Sequence, residues 1–123
     1  MKRIIATPDA PAAIGPYSQA VETNGILFVS GQLPVNPVTG EIPSGIEAQT
    51  RQSLENIMAI LKQAGLGPDN VAKTCVLLQH ISDFAATNAV YAEFFPADKP
   101  ARVCYEVAAL PKGALVEIDA IAG

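Results

Sequence analysis

Pro100-Ala101-Arg102-Val103-Cys104-Tyr105-Glu106-Val107-Ala108-Ala109-Leu110-Pro111-Lys112-Gly113-Ala114-Leu115-Val116-Glu117-Ile118-Asp119-Ala120-Ile121-Ala122 is the stretch on which the fold turns. Two apolar runs rich in Val and Ile are interrupted at Leu110-Pro111-Lys112-Gly113, which reads as two β-strands. In the first run Arg102, Cys104 and Glu106 share one face, with Val103, Tyr105 and Val107 on the other. In the second, Glu117 and Asp119 share a face with Leu115 and Ile121. Arg102 and Glu117 are therefore charges set into strands that otherwise read as buried.

A buried charge costs several kcal/mol unless it is paired or faces a wet cleft. Spacing alone leaves two readings open. One is a structural ion pair, or edge positions facing water. The other is a cleft in which the guanidinium holds an anion by two hydrogen bonds and the carboxylate handles a proton.

The 123 residues suit one domain with a single core, spanning 1–123. Half of them are hydrophobic and only 16% are charged, which predicts that part of the surface closes an oligomer interface. No apolar run reaches the length of a membrane span. Met1 to Asp9 meets Pro8 too early for a signal-peptide core, so the expected location is the cytoplasm. The net charge of −4 and the scattering of the eight Lys and Arg argue against nucleic-acid binding, which needs a basic patch. Cys75 and Cys104 lie in strand-like runs, as small hydrophobes. One His and no cysteine pair at ligand spacing give no basis for a metal site.

Upstream, residues 8–18 hold three prolines and a glycine, a stiff loop that displays Tyr17. Gln19 to Glu22 and Gly25 to Gly31 read as a hairpin around Asn24-Gly25. The second strand runs into Ser30-Gly31, a hydroxyl and a bare backbone of the kind that contacts ligands, or simply a polar strand end. Ser44 and Glu47 fit a capping box before a helix whose stripe is Leu54, Ile57, Met58 and Leu61, stopped at Gly65. Val71 to Gln79 reads as a strand buried on both faces. His80 at its end is a weak candidate base with no acidic partner nearby in sequence. A second helix is predicted from Ser82, as N-cap, to Phe95 before Pro96. It carries Phe84, Thr87, Asn88, Tyr91, Phe94 and Phe95 on one side, and Asn88 either pins a loop or borders a cleft.

The order β, β, helix, strand, helix, strand, strand predicts an α+β fold, a mixed sheet with two helices on one face. The other face then calls for burial by self-association. A simple hairpin of the last two strands would set Glu117 opposite about Val107, roughly 17 Å from Arg102. For both to serve one small ligand, that hairpin must be absent or the two must come from different subunits.

The chain resembles the reactive intermediate deaminase family, RidA, also called the YjgF family. The likeness is carried by Ala13-Ile14-Gly15-Pro16-Tyr17-Ser18-Gln19, Val29-Ser30-Gly31-Gln32, Gln52-Ser53-Leu54-Glu55-Asn56, Val71-Ala72-Lys73-Thr74, Ser82-Asp83-Phe84, Asn88-Ala89-Val90-Tyr91, Pro100-Ala101-Arg102 and Glu117-Ile118. It implies a chorismate-mutase-like sheet assembled as a homotrimer with sheets facing inward, clefts between subunits, and a final strand inserted between earlier ones. It also implies hydrolysis of 2-aminoacrylate, 2-iminopropanoate and 2-iminobutanoate to 2-oxo acids and ammonia, without a cofactor.

By the same resemblance Arg102 grips the substrate carboxylate and Glu117 orients or deprotonates water. Tyr17, Ser30, Gly31, Asn88 and the backbone at Cys104 shape the cleft. His80 and Ser82 stand where many members carry Asp and Asn, and the link from Phe95 to Lys99 is shorter than in several bacterial members. Cys104 has no activating base near it in sequence, which argues against a nucleophilic role. The rival readings are a trimeric binder that senses 2-oxo acids, and the ribonuclease or chaperone-like roles associated with this family.

Overall fold

A computed structural model describes residues 1–123. Its strands are β1 (Arg3–Ile5), β2 (Ala20–Thr23), β3 (Ile26–Gln32), β4 (Val71–Leu78), β5 (Ala101–Glu106) and β6 (Val116–Ala122), with helices α1 (Ile46–Gln63) and α2 (Phe84–Phe94). They form one six-stranded sheet in the order β1-β2-β3-β6-β4-β5. Only β4 and β5 are parallel, joined through α2 as a crossover demands. The α+β expectation of a mixed sheet holds.

The predicted hairpin of β2 and β3 forms, with Asn24 at φ 51° and Gly25 at φ 76°, the left-handed pair of the turn that matches strand twist. No hairpin joins the last two strands: β6 runs between β3 and β4, antiparallel to both, and leaves β5 at the sheet edge. Val116, Ile118, Ala120 and Ala122 are buried beneath the helices, while Glu117, Asp119 and Ile121 point the other way and are half-buried. Leu54, Ile57, Ile60 and Leu61 of α1 close the core from above, with Tyr91 and Phe95 at the α2 end.

Three expectations need correction, and one strand was not anticipated. The Ser44 capping box does not form, because Gly45 at φ 88° takes the N-cap position and moves the helix start one residue on. Ser82 does not cap α2 either; it lies in a 3-10 turn, Ile81–Asp83, whose Ile81 N–H donates to Glu106 Oε1 at 2.8 Å. β1 was not foreseen, since three residues are too few for a readable pattern; it pairs with β2 and adds an Arg3–Glu22 ion pair. Finally, β4 is buried on one face only. Thr74, Val76 and Leu78 are fully enclosed, whereas Cys75 and Leu77 are half-buried on the face without helices. That open face also shows Phe28 at 44%, Val103 at 43% and Tyr105 at 51% exposure.

Candidate active site

The seven candidate residues fall into two groups, one on each side of the sheet. Arg102 pairs with Thr74 and Glu117 with Leu77, both along β4. They are thus about 10 Å apart along the strands and about 10 Å across them, with side chains on opposite faces. Within one protomer Arg102 and Glu117 share no cleft.

On the helix side, Arg102 Nη1 donates to Asn88 Oδ1 at 2.7 Å. Its guanidinium carbon lies 4.8 Å from the centre of the Tyr91 ring and 5.5 Å from that of Phe84, so two aromatic faces hold the cation. Tyr91 is fixed in turn by a 2.7 Å bond between its hydroxyl and that of Thr74. No carboxylate lies within ion-pair distance of Arg102; the two ion pairs are Arg3–Glu22 and Arg51–Glu93. The structural ion-pair reading of Arg102 therefore falls. Cys104 is on the same face, half-buried, and burial pushes its thiol above the ordinary range against the opposing pull of Arg102. It is a protonated thiol near neutrality, ill-suited to attack.

On the other side, Glu117, Tyr17, Ser30 and Gly31 line one cleft of about 600 Å³. A β-bulge builds it. Val29 faces Ala120 and Gln32 faces Ile118, so Ser30 and Gly31 together oppose the single residue Asp119 and β3 carries one residue more than β6. A Cβ on Gly31 would sit 2.5 Å from Glu117 Oε2 and 2.9 Å from its Cδ, so glycine is what gives the carboxylate its place. Burial raises the Glu117 carboxyl above the usual range, and the nearby Asp119 charge adds to the shift.

The Ser30 hydroxyl donates to the Ser18 carbonyl at 2.6 Å, so its proton is already committed and it faces the cleft as an acceptor. It holds the loop that carries Tyr17, whose hydroxyl accepts a long bond from Ile14 N–H at 3.4 Å. His80 is exposed at the end of β4, away from the cleft lining.

Sequence reading missed Gln19. Its buried amide nitrogen donates to the carbonyls of Thr7, Ala10 and Pro11, and its oxygen accepts from Thr7 N–H at 2.7 Å. This one side chain ties the proline-rich loop beside the cleft to the start of β2. A glutamine next to a strand gives no signal of such a role.

The profile of the endoribonuclease L-PSP family matches residues 7–123. The chain belongs to that family. A RutC family protein of Pasteurella multocida is 55% identical over 126 residues, covering 99% of this chain and 98% of the relative. A 2-iminobutanoate/2-iminopropanoate deaminase of Escherichia coli K12 is 51% identical over 125 residues, again covering 99% and 98%. The crystal structure of YyfA from Yersinia pestis, described as a protein of unknown function of the conserved Rid family, superposes with a TM-score of 0.97 at 52% identity, covering 100% of this chain and 99% of that one. The RidA resemblance read from the sequence motifs thus holds, as does the mixed sheet it implied, with the final strand inserted between earlier ones. The L-PSP family fold is what sets β6 between β3 and β4, and with it Glu117 beside the Ser30-Gly31 bulge.

Proposed function

We propose that this protein is a 2-iminobutanoate/2-iminopropanoate deaminase. It hydrolyses 2-imino acids, and the enamines such as 2-aminoacrylate that tautomerise to them, to 2-oxo acids and ammonia. The sites lie between neighbouring copies in a homotrimer. The observation that carries this reading is the split of two unpaired charges: a guanidinium with free donors on one face, and a carboxylate raised by burial on the other. Each is half of a site. The half-exposed apolar face around Phe28, Val103 and Tyr105 supplies a surface for the copies to meet. The deaminase name of the Escherichia coli relative supports the reaction.

Arg102, held by Asn88 and the two rings, takes the substrate carboxylate in a bidentate grip and so positions the imine carbon. Glu117 from the neighbouring copy removes a proton from water as the water oxygen bonds to that carbon and the C=N π pair moves to nitrogen. The same proton passes to nitrogen. In a second transfer Glu117 takes the proton of the carbinolamine hydroxyl and delivers it to the departing nitrogen, so that the C=O bond forms as the C–N bond breaks, ammonia leaves and the 2-oxo acid remains. A carboxyl whose affinity for protons is raised toward neutrality serves both transfers. No step calls for a metal or cofactor.

The test is ammonia release from 2-iminopropanoate generated in place by an amino-acid oxidase. Release faster with the protein than without it, and abolished by Arg102→Ala, is the expected result. A protein that binds pyruvate yet leaves the rate unchanged would be the sensor of 2-oxo acids instead. Ribonuclease activity has little support in the charge, since the chain is acidic and Arg3 and Arg51 are tied to Glu22 and Glu93.

A further inference from the structure

Lys112 is the one cation among the residues that line the Glu117 cleft. Its side chain is exposed, and its ammonium makes neither a hydrogen bond nor an ion pair within the protomer. It sits in the 3-10 turn Pro111–Gly113 with φ 58° and ψ 21°, followed by Gly113 at φ 67°. A left-handed backbone is costly for a residue with a Cβ, and glycine or asparagine meets it with less strain. The turn is anchored on its far side. Ala114 is fully buried, Leu115 N–H donates to Gln49 Oε1 at 2.8 Å, and Gln79 N–H donates to the Leu115 carbonyl at 3.0 Å. A long cation is thus held at the cleft in a backbone state that does not favour it.

The chain carries a net charge of −4, and the face that holds Glu117 also holds Asp119, whose charge is partly offset by Lys73 on the same face but outside the cleft lining. An anionic substrate approaching that face meets repulsion unless a local positive charge reverses it. We propose that Lys112 captures the carboxylate of the incoming substrate at the cleft and draws it toward the neighbouring Arg102. It acts on encounter and not on the chemical step. This inference rests on the deaminase reading for the identity of the substrate. For short-lived imines the capture term, kcat/KM, is the one that governs useful turnover.

The experiment compares Lys112→Ala, Lys112→Arg, Lys112→Glu and Lys112→Gly with the wild type at ionic strengths of about 20 mM and about 500 mM. At low salt kcat/KM falls about threefold in Lys112→Ala, falls further in Lys112→Glu and holds in Lys112→Arg, with kcat unchanged. At high salt the variants converge. Lys112→Gly, whose backbone suits the turn, keeps or raises Tm while losing capture, which separates the charge from any structural role. Variants equal to the wild type at low salt, a loss that persists at high salt, or a loss in kcat would each overturn the proposal. Titration with pyruvate, a stable 2-oxo acid, gives the same ranking and salt dependence without turnover. An inactive wild type would count against the deaminase reading, and the pyruvate series would still decide the role of Lys112.

Discussion

Asn88 and Arg102 are joined by a single short bond, Nη1 to Oδ1 at 2.7 Å, between the second turn of α2 and the edge strand β5. That bond uses one of the five guanidinium donors and sets the plane of the fork between Tyr91 and Phe84. The remaining donors point where no protein carboxylate answers them.

Asn88→Ala therefore leaves the charge in place and loosens its aim. The expected loss in kcat/KM is about tenfold to a hundredfold, the scale of a misplaced binding group. Arg102→Ala abolishes turnover, and Arg102→Lys does not restore it, because a point charge cannot make the planar double contact. Steady-state kinetics on the three variants, with circular dichroism to confirm folding, checks the order.

Gly31→Ala sets a sharper test. The three atoms nearest the added Cβ would all belong to one side chain, with Glu117 Oε2 first at 2.5 Å. The fold can absorb that by turning the carboxylate aside, so Tm should change little. Activity should fall about a hundredfold, as for a base moved by an ångström. Loss of Tm in parallel with activity would mean that the glycine serves the bulge alone.

The pH profile follows from burial. Glu117 binds its proton more tightly in the folded chain than its ordinary value of 4.5 implies. As a base it is lost when pH falls through that raised value, so kcat/KM has an acidic limb, and Glu117→Gln removes both the limb and most of the rate. The stability consequence has a definite sign. Between the unfolded and folded values the native state holds more protons, so stability declines as pH rises through the window. Glu117→Gln should then raise Tm at neutral pH while destroying activity, which thermal melts at pH 4 and pH 7 would reveal.

The sequence named candidate site residues more readily than it showed their arrangement. Period-two alternation was enough to put Arg102 and Cys104 on one face, and Glu117 and Asp119 on another, because it depends only on local geometry. Which neighbours each strand has is a non-local matter, and nothing in Val116 to Ala122 distinguishes an inserted strand from a hairpin partner of β5. The family likeness supplied that topology. Capping failed at Ser44 because the pattern could not foresee that Gly45 would adopt φ 88°. Gln19 escaped notice since its role depends on three carbonyls brought to it by the loop; Gln19→Ala should cost about 2 to 3 kcal/mol by leaving them buried and unpaired.

The decisive measurement concerns the opposed faces. If Arg102 of one copy serves Glu117 of the next, two inactive proteins can repair each other. Arg102→Ala and Glu117→Gln, unfolded together in equal amounts and refolded, would give mixed trimers in which one of the three interfaces has both side chains intact. Random assembly makes about three quarters of the trimers mixed, so about a quarter of wild-type activity should return. Each variant refolded alone should stay inactive. A site contained in one protomer would show no recovery at any ratio, and because a dimer would give the same recovery as a trimer, the number of copies is read separately from the mass of the assembly in solution. Placing Val103→Asp in the same experiment adds a control: a charge on the open apolar face should prevent assembly, and with it any recovery, without touching either half of the site.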